Sequence, residues 1–271
     1  MKNLFLILLA IIAGSAHAQN LETSVMIIPF SPDMYFSDAD NQLAKYNDKN
    51  VKEVRNLFRY GVNINLNARI VSEYATRQML ADTAGRAADD LYKIYNTISY
   101  FEDKPIVPED EIAEKTETGK GIEKIGDKLK NLFKNSDRDA QTHTDATNEV
   151  NAKRYMNVRI NNSKMLPFLH QQYGTELFLF INQFNLVTNY EHCLDRATNT
   201  FEREFIVHYS LFDYTGKQLA GNVATVYFPS NANDMSLLMK TNFPPLADII
   251  ANSFPHHVKV KESKVAGMVV E

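Results

Sequence analysis

An α/β fold, or an α+β variant of it, is predicted for this chain: a mixed sheet of about four to five strands with helices packed on it, a C-terminal β-hairpin, and a charged insertion between the two halves. Three observations predict it. The run "SVMIIPF" at 24–30 has the composition of a strand buried on both faces. Apolar residues then recur at three- and four-residue steps, the helical period, from about Asn50 to Tyr74 and again from Ala84 to Ile98. The second half alternates apolar and polar positions around a turn signature, Asp213-Tyr214-Thr215-Gly216.

The first eighteen residues carry one Lys, an apolar run from Leu4 to Ala13 and the triplet Ala16-His17-Ala18. That is the layout of a secretory signal peptide, with cleavage expected after Ala18. The run is short for a spanning helix, which needs ~20 apolar residues; an uncleaved anchor is the alternative. Formal charge is −4, and loss of Lys2 with the leader makes the mature chain one unit more negative. Such mild acidity argues against nucleic acid as a partner, because phosphate recognition needs clustered basic surface. Cys193 is the single cysteine, so an intrachain disulfide is excluded, and the thiol is either buried or free. A mature domain, expected at 19–101 and 151–255, is long enough to bury a real core.

The opening strand ends at Pro29 and leads into the loop "SPDMYFSDADNQL", in which Asp38 or Asp40 is placed to cap the next element. Val51, Val54, Leu57, Phe58 and Val62 begin the long helical pattern, which Gly61 could bend or break. "EYATRQML" at 73–80 is open between helix and strand. Ala87, Leu91, Ile94 and Ile98 mark the next helix. Composition shifts at Phe101: residues 102–150 are rich in Glu, Asp, Lys and Thr, the signature of a partly disordered insertion or linker. Within it, "GIEKIGDKLKNLFK" places Ile122, Ile125, Leu129, Leu132 and Phe133 on one helical face, with Lys128 and other lysines beside them. This is a candidate contact helix for a membrane surface or a protein partner, or a helix lying on its own domain.

After residue 150, "KRYMNVRI" reads as a strand, and "KMLPFLHQQYG" as a short helix closed by Gly174. "ELFLFINQFNLV" reads as a central strand. "REFIVHYSLFD" and "KQLAGNVATVYF" pair as a hairpin about Asp213–Gly216. Asn233 or Asp234 caps a last helix that Pro244 and Pro245 interrupt or restart; 256–271 reads as a loose tail.

The chemistry-bearing residues fit a structural reading better than a catalytic one. A P-loop needs a second Gly upstream of Gly216-Lys217, and an aspartic protease needs Asp-Thr-Gly without Tyr214 between. His192 and Cys193 are strand neighbours and point to opposite faces. The histidines show no zinc spacing, and Asp33, Asp38 and Asp40 lack the EF-hand glycine. No catalytic, cofactor-binding or metal-binding residue is therefore assigned.

Val25-Met26-Ile27-Ile28-Pro29-Phe30, Tyr173–Phe180 and Asp213-Tyr214-Thr215-Gly216-Lys217 together resemble the opening strand, the later glycine-led strand and the hairpin turn of the α/β domain shared by CsgG-like and TolB-N-like cell-envelope proteins. The resemblance covers 24–100 and 153–254; the lipoprotein Cys of that group is missing and the 102–150 insertion is extra. It implies a periplasmic or outer-membrane-associated protein working through protein–protein contacts. The expectation is thus an exported, non-enzymatic binding or assembly factor with a protein partner, a possible peripheral membrane contact, and no nucleic acid. Its contact surfaces would be the 120–134 stretch and any open edge strand. Two rivals stand beside it: a hydrolase with a site assembled from His192, His208, Asp33 and Asp38, and a small-ligand carrier with an aromatic pocket including Tyr209 and Phe180.

Overall fold

A computed structural model of the chain describes residues 23–80, 85–106 and 154–255. The architecture is mixed α/β. β1 (Ser24–Ile28) lies between β3 (Ala75–Gln78) and β6 (Leu177–Asp195), parallel to both. β7 (Thr200–Asp213) and β8 (Gln218–Pro229) continue the sheet in antiparallel fashion, giving the order β3–β1–β6–β7–β8. Short β2 (Tyr35–Ser37) runs parallel to the upper part of β6, in line with β1. β4 (Ile98–Asp103) and β5 (Tyr155–Ile160) form a separate antiparallel ribbon.

Helices cover both faces where β1 sits, which is why its residues after Ser24 are all buried. On one face pack α1 (Asp40–Tyr46), α2 (Val51–Ile70) and α5 (Met235–Ala251). On the other pack α3 (Arg86–Thr97), α4 (Met165–Tyr173) and the β4–β5 ribbon. The first core centres on phenylalanines: Phe205 meets Phe58 and Phe243 edge-on, each at 5.3 Å between ring centroids. Rings so placed are worth about 0.5–1.5 kcal/mol per pair beyond their area.

β6 alternates Leu177, Leu179 and Ile181 into the first core, then switches to Phe184 and Leu186. The cause is a register shift between Ile181 and Gln183: one extra residue, Asn182, flips the side-chain parity beyond it.

Several local expectations change. α2 starts at Asn50 with a full capping box, Asn50 Oδ1 accepting from Glu53 N–H at 2.9 Å and Glu53 Oε2 from Asn50 N–H at 2.7 Å. It runs unbroken through Gly61. That glycine is needed for contact, not bending: a Cβ there would stand 2.7 Å from a Phe243 ring carbon and 2.8 Å from Met239 Sδ, where α5 crosses α2. Neither Asp38 nor Asp40 caps α1; Asp38 accepts from Thr188 N–H (2.8 Å), and Asp40 from the Tyr35 hydroxyl (2.5 Å). Residues 75–78 are strand. Phe101 is no boundary, since β4 continues to Asp103 and Ile106 bridges Gly221 of β8. Pro244 and Pro245 lie inside an uninterrupted α5. Both prolines face solvent, so the carbonyls they leave unpaired face outward too, while Phe243, Leu246 and Ala247 keep the buried face packed. The 120–134 stretch with Ile122, Ile125, Lys128, Leu129, Leu132 and Phe133, the leader and the tail lie outside the described residues.

Candidate functional site

The four residues of the hydrolase reading are not brought together. Asp33 sits in the 3-10 turn Pro32–Met34 after β1. Asp38 is bound to Thr188 through both its N–H and its hydroxyl, at 2.8 and 3.0 Å. His192 lies on the distal part of β6, Nδ1 2.9 Å from Glu202 across the ladder. His208 lies under β5, where its Nδ1 accepts from Met156 N–H at 2.9 Å; that lone pair is occupied and cannot act as a base. Cys193 is a free, half-buried thiol on the same distal ladder as His192.

The Asp213–Lys217 segment is a hairpin corner. Asp213 Oδ1 accepts from Thr215 N–H (2.9 Å), Thr215 Oγ1 (2.6 Å) and Lys217 N–H (3.0 Å), and Gly216 takes φ 93°. The left-handed position explains the glycine, and one carboxylate oxygen serves the whole turn. The Lys217 side chain is exposed. The carrier pocket is corrected as well. Phe180 stands opposite Ser210 in the β6–β7 register, so Tyr209, one residue away, points to the other face. Phe180 belongs to the second core and Tyr209 to the first, so the two rings pack on opposite faces of the sheet.

Two polar clusters hold the sheet in place. Arg203, only 5% exposed, donates from Nε to Thr188 Oγ1 (3.1 Å), from Nη1 to Asn233 Oδ1 (3.2 Å) and from Nη2 to Gln42 Oε1. Burial lowers its pKa, against the pull of the Asp38 and Tyr190 charges. Where β5 crosses β7, Asn182 Nδ2 donates to Ser210 Oγ (2.7 Å) and Ser210 donates to Asn157 Oδ1 (2.7 Å). Gln218 Nε2 donates to the Tyr155 hydroxyl at 2.7 Å. Burial pushes the Tyr155 pKa up to about 12, the Gln218 bond acting against it. These clusters join elements far apart in sequence, and nothing in the local pattern of Asn157, Asn182 or Arg203 announces them.

Among the described residues, β8 and β3 are the terminal strands of the main sheet, and the outer edge of β8 is partly unpaired. Gly221 gives both N–H and C=O to Ile106, at 2.9 and 2.7 Å, so it faces away from β7. Ser230, an even position, turns inward and donates to Phe201 O at 2.8 Å. Antiparallel alternation therefore aims the N–H and C=O of Thr225 and Tyr227 outward. Val223 has the same orientation, but its N–H is taken by Asn222 Oδ1 at 2.8 Å. Among the described residues Thr225 and Tyr227 have no strand beyond them. Edge strands are ordinarily protected by Lys, by Pro or by covering elements. From Leu219 to Pro229 this one carries no charged residue, and its only proline is the last residue. Tyr227 is 57% exposed on it.

No group of His, Cys, Asp and Glu among the described residues is arranged to hold a metal ion. No described helix is long and apolar enough to cross a membrane. Compared with protein-family models, with curated proteins and with solved structures, the chain finds no match in any of the three.

Proposed function

We propose that this chain is an exported, non-enzymatic protein of the cell envelope that acts as a binding or assembly factor, taking up an extended segment of a partner protein along β8. The observation that carries the reading is the uncharged edge on which Thr225 and Tyr227 present backbone groups outward with no strand partner among the described residues. Strand addition uses such groups for affinity and alternate side chains for selectivity. Because the edge holds no charge from Leu219 to Pro229, the partner segment that fits it is itself uncharged and rich in β-branched or aromatic residues. The leader-like first eighteen residues support export, and the resemblance to CsgG-like and TolB-N-like domains supports an envelope role.

The test is a photo-crosslinking amino acid placed at Tyr227 in the cells that make the protein. A discrete adduct is expected, and it should vanish when Thr225→Pro removes one outward N–H. That N–H is outside the β7–β8 ladder, so Thr225→Pro should leave the melting midpoint nearly unchanged. An adduct only at twice the chain mass would replace the partner by a second copy. No adduct, or one indifferent to Thr225→Pro, would overturn the reading.

A further inference from the structure

The carboxyl ends of β1 and β3 open a second candidate site. The chain leaving β1 goes on to α2 on one face of the sheet, and the chain leaving β3 goes to α3 on the other. Neighbouring parallel strands whose connections depart to opposite faces leave a crevice beyond their ends, the usual place for a ligand in open α/β sheets. Here the crevice is a cleft of about 680 Å³, within the size range of small-molecule sites.

Its interior is prearranged. Arg59 donates from Nε to Phe30 O at 2.8 Å and from Nη2 to the Tyr95 hydroxyl at 2.6 Å. Tyr95 in turn donates to Pro29 O at 2.7 Å. The guanidinium is thereby tied to the backbone that ends β1, with its carbon 5.9 Å from the Tyr95 ring centroid. Its Nη1 has no partner among the described residues. Burial raises the Tyr100 hydroxyl pKa, with Tyr95 and Asp33 adding to the effect, and burial pushes Tyr95 up to about 12. Both phenols are neutral donors and acceptors at ordinary pH. Of the lining tyrosines, Tyr92 is 70% exposed and Tyr60 is exposed too, and Asp33 and Asn96 add polar groups to the lining.

The chemistry of these groups selects among ligands. One guanidinium and one carboxylate leave the lining without net charge, which disfavours a phosphate, opposed by Asp33. A quaternary ammonium would want the aromatic faces to itself, but Arg59 already lies against Tyr95. Exposed tyrosine rings offer flat faces for polarised C–H groups. Guanidinium, carboxylate, amide and phenol together suit a ligand that both donates and accepts through neighbouring hydroxyls. We infer that this cleft binds a neutral saccharide, one pyranose face resting on Tyr92 and its hydroxyls paired with Arg59, Asp33 and Asn96. The site is separate from the β8 edge, so its failure would leave the strand-addition reading standing.

The test uses the full chain on an array of neutral oligosaccharides (β-1,4-glucose, β-1,4-N-acetylglucosamine and α-1,4-glucose oligomers), with sulfated sugars, phosphate esters and choline conjugates alongside. Binding to at least one neutral saccharide is expected, weakened about tenfold or more by Tyr92→Ala. Because Tyr92 is exposed, that variant should keep the native melting curve; Tyr60→Ala provides a second reading of the same lining. Binding of no neutral saccharide, preference for the charged probes, or affinity unmoved by both tyrosine variants would overturn the inference.

Discussion

Replacing Gly221 by Ala sets two opposed effects against each other. In the unfolded chain the substitution removes backbone freedom, which by itself stabilises the fold by about 0.4–1 kcal/mol. In the folded chain a Cβ at 221 would stand 2.2 Å from the Tyr155 hydroxyl oxygen and 2.5 Å from Gln218 Nε2. Tyr155 is wholly buried, and its hydroxyl accepts from Gln218. The ring cannot swing away without disturbing β5, so the expected relief is a shift of the ribbon. Overpacking of that kind costs about 1–3 kcal/mol, and losing the Tyr155–Gln218 bond adds about 1 kcal/mol. The folded-state cost wins: Gly221→Ala should destabilise the protein by about 1–3 kcal/mol. At about 2–4 °C per kcal/mol for a domain of this size, the melting midpoint should fall by several degrees. Urea unfolding measures the free energy directly. Adding Tyr155→Phe to Gly221→Ala takes away the clashing oxygen, so the double variant should lose less than the sum of the two single losses. A Gly221→Ala protein as stable as the parent or more so, or strictly additive losses, would refute the close approach of β5 to β8.

Further outcomes follow from the same geometry. Gly61→Ala should also destabilise, by about 1–2 kcal/mol in urea unfolding: the helix gains about 1 kcal/mol of propensity, but the Phe243 ring and Met239 Sδ at the α2–α5 crossing must give way at greater cost. Asp90 is buried; burial alone would raise its pKa, but hydrogen bonds from Lys93, Tyr173 and Gln172 outweigh burial and hold it below the usual carboxylate value. A depressed native pKa means the unfolded chain takes up the proton first as pH falls, so this carboxylate's stabilisation is present above about pH 4 and lost below it. Asp90→Asn should therefore be less stable than the parent at neutral pH, and the gap measured by urea unfolding should narrow as pH is lowered through that range. Burial places the Tyr95 and Tyr155 hydroxyls at about 12, so both favour the native state below pH ~10. That contribution should fade between pH ~10 and 12, read as alkaline unfolding that follows the tyrosinate absorbance.

What the sequence made legible was local. The corner at 213–217 could be read because Asp213, Thr215 and Gly216 supply the turn chemistry within five residues, and the structure uses each in that way. β1 and the helical periods of α2 and α3 were legible because burial on one or both faces writes directly into residue type. Sequence and structure part where tertiary context decides. Pro244 and Pro245 sit in a helix because their freed carbonyls face water, and side-chain type alone does not report that. The carrier reading puts Tyr209 and Phe180 in one pocket because strand register is not written in the sequence; an offset of one residue separates them by the thickness of the sheet. Asn182 is polar in an apolar run, yet nothing local marks it as the bulge that inverts the parity of β6. The cleft was out of reach for a simpler reason: Asp33, Arg59, Tyr92 and Tyr100 come from four segments that only the fold brings together.

The most direct measurement on the central claim is residue-resolved amide hydrogen exchange along β8 in the isolated full chain. Alternation is expected: the Ala224 and Val226 amides, bonded to β7, exchange slowly, while those of Thr225 and Tyr227, directed outward, exchange fast. Equal protection at all four positions would mean that the edge is already covered, and the strand-addition account would be contradicted.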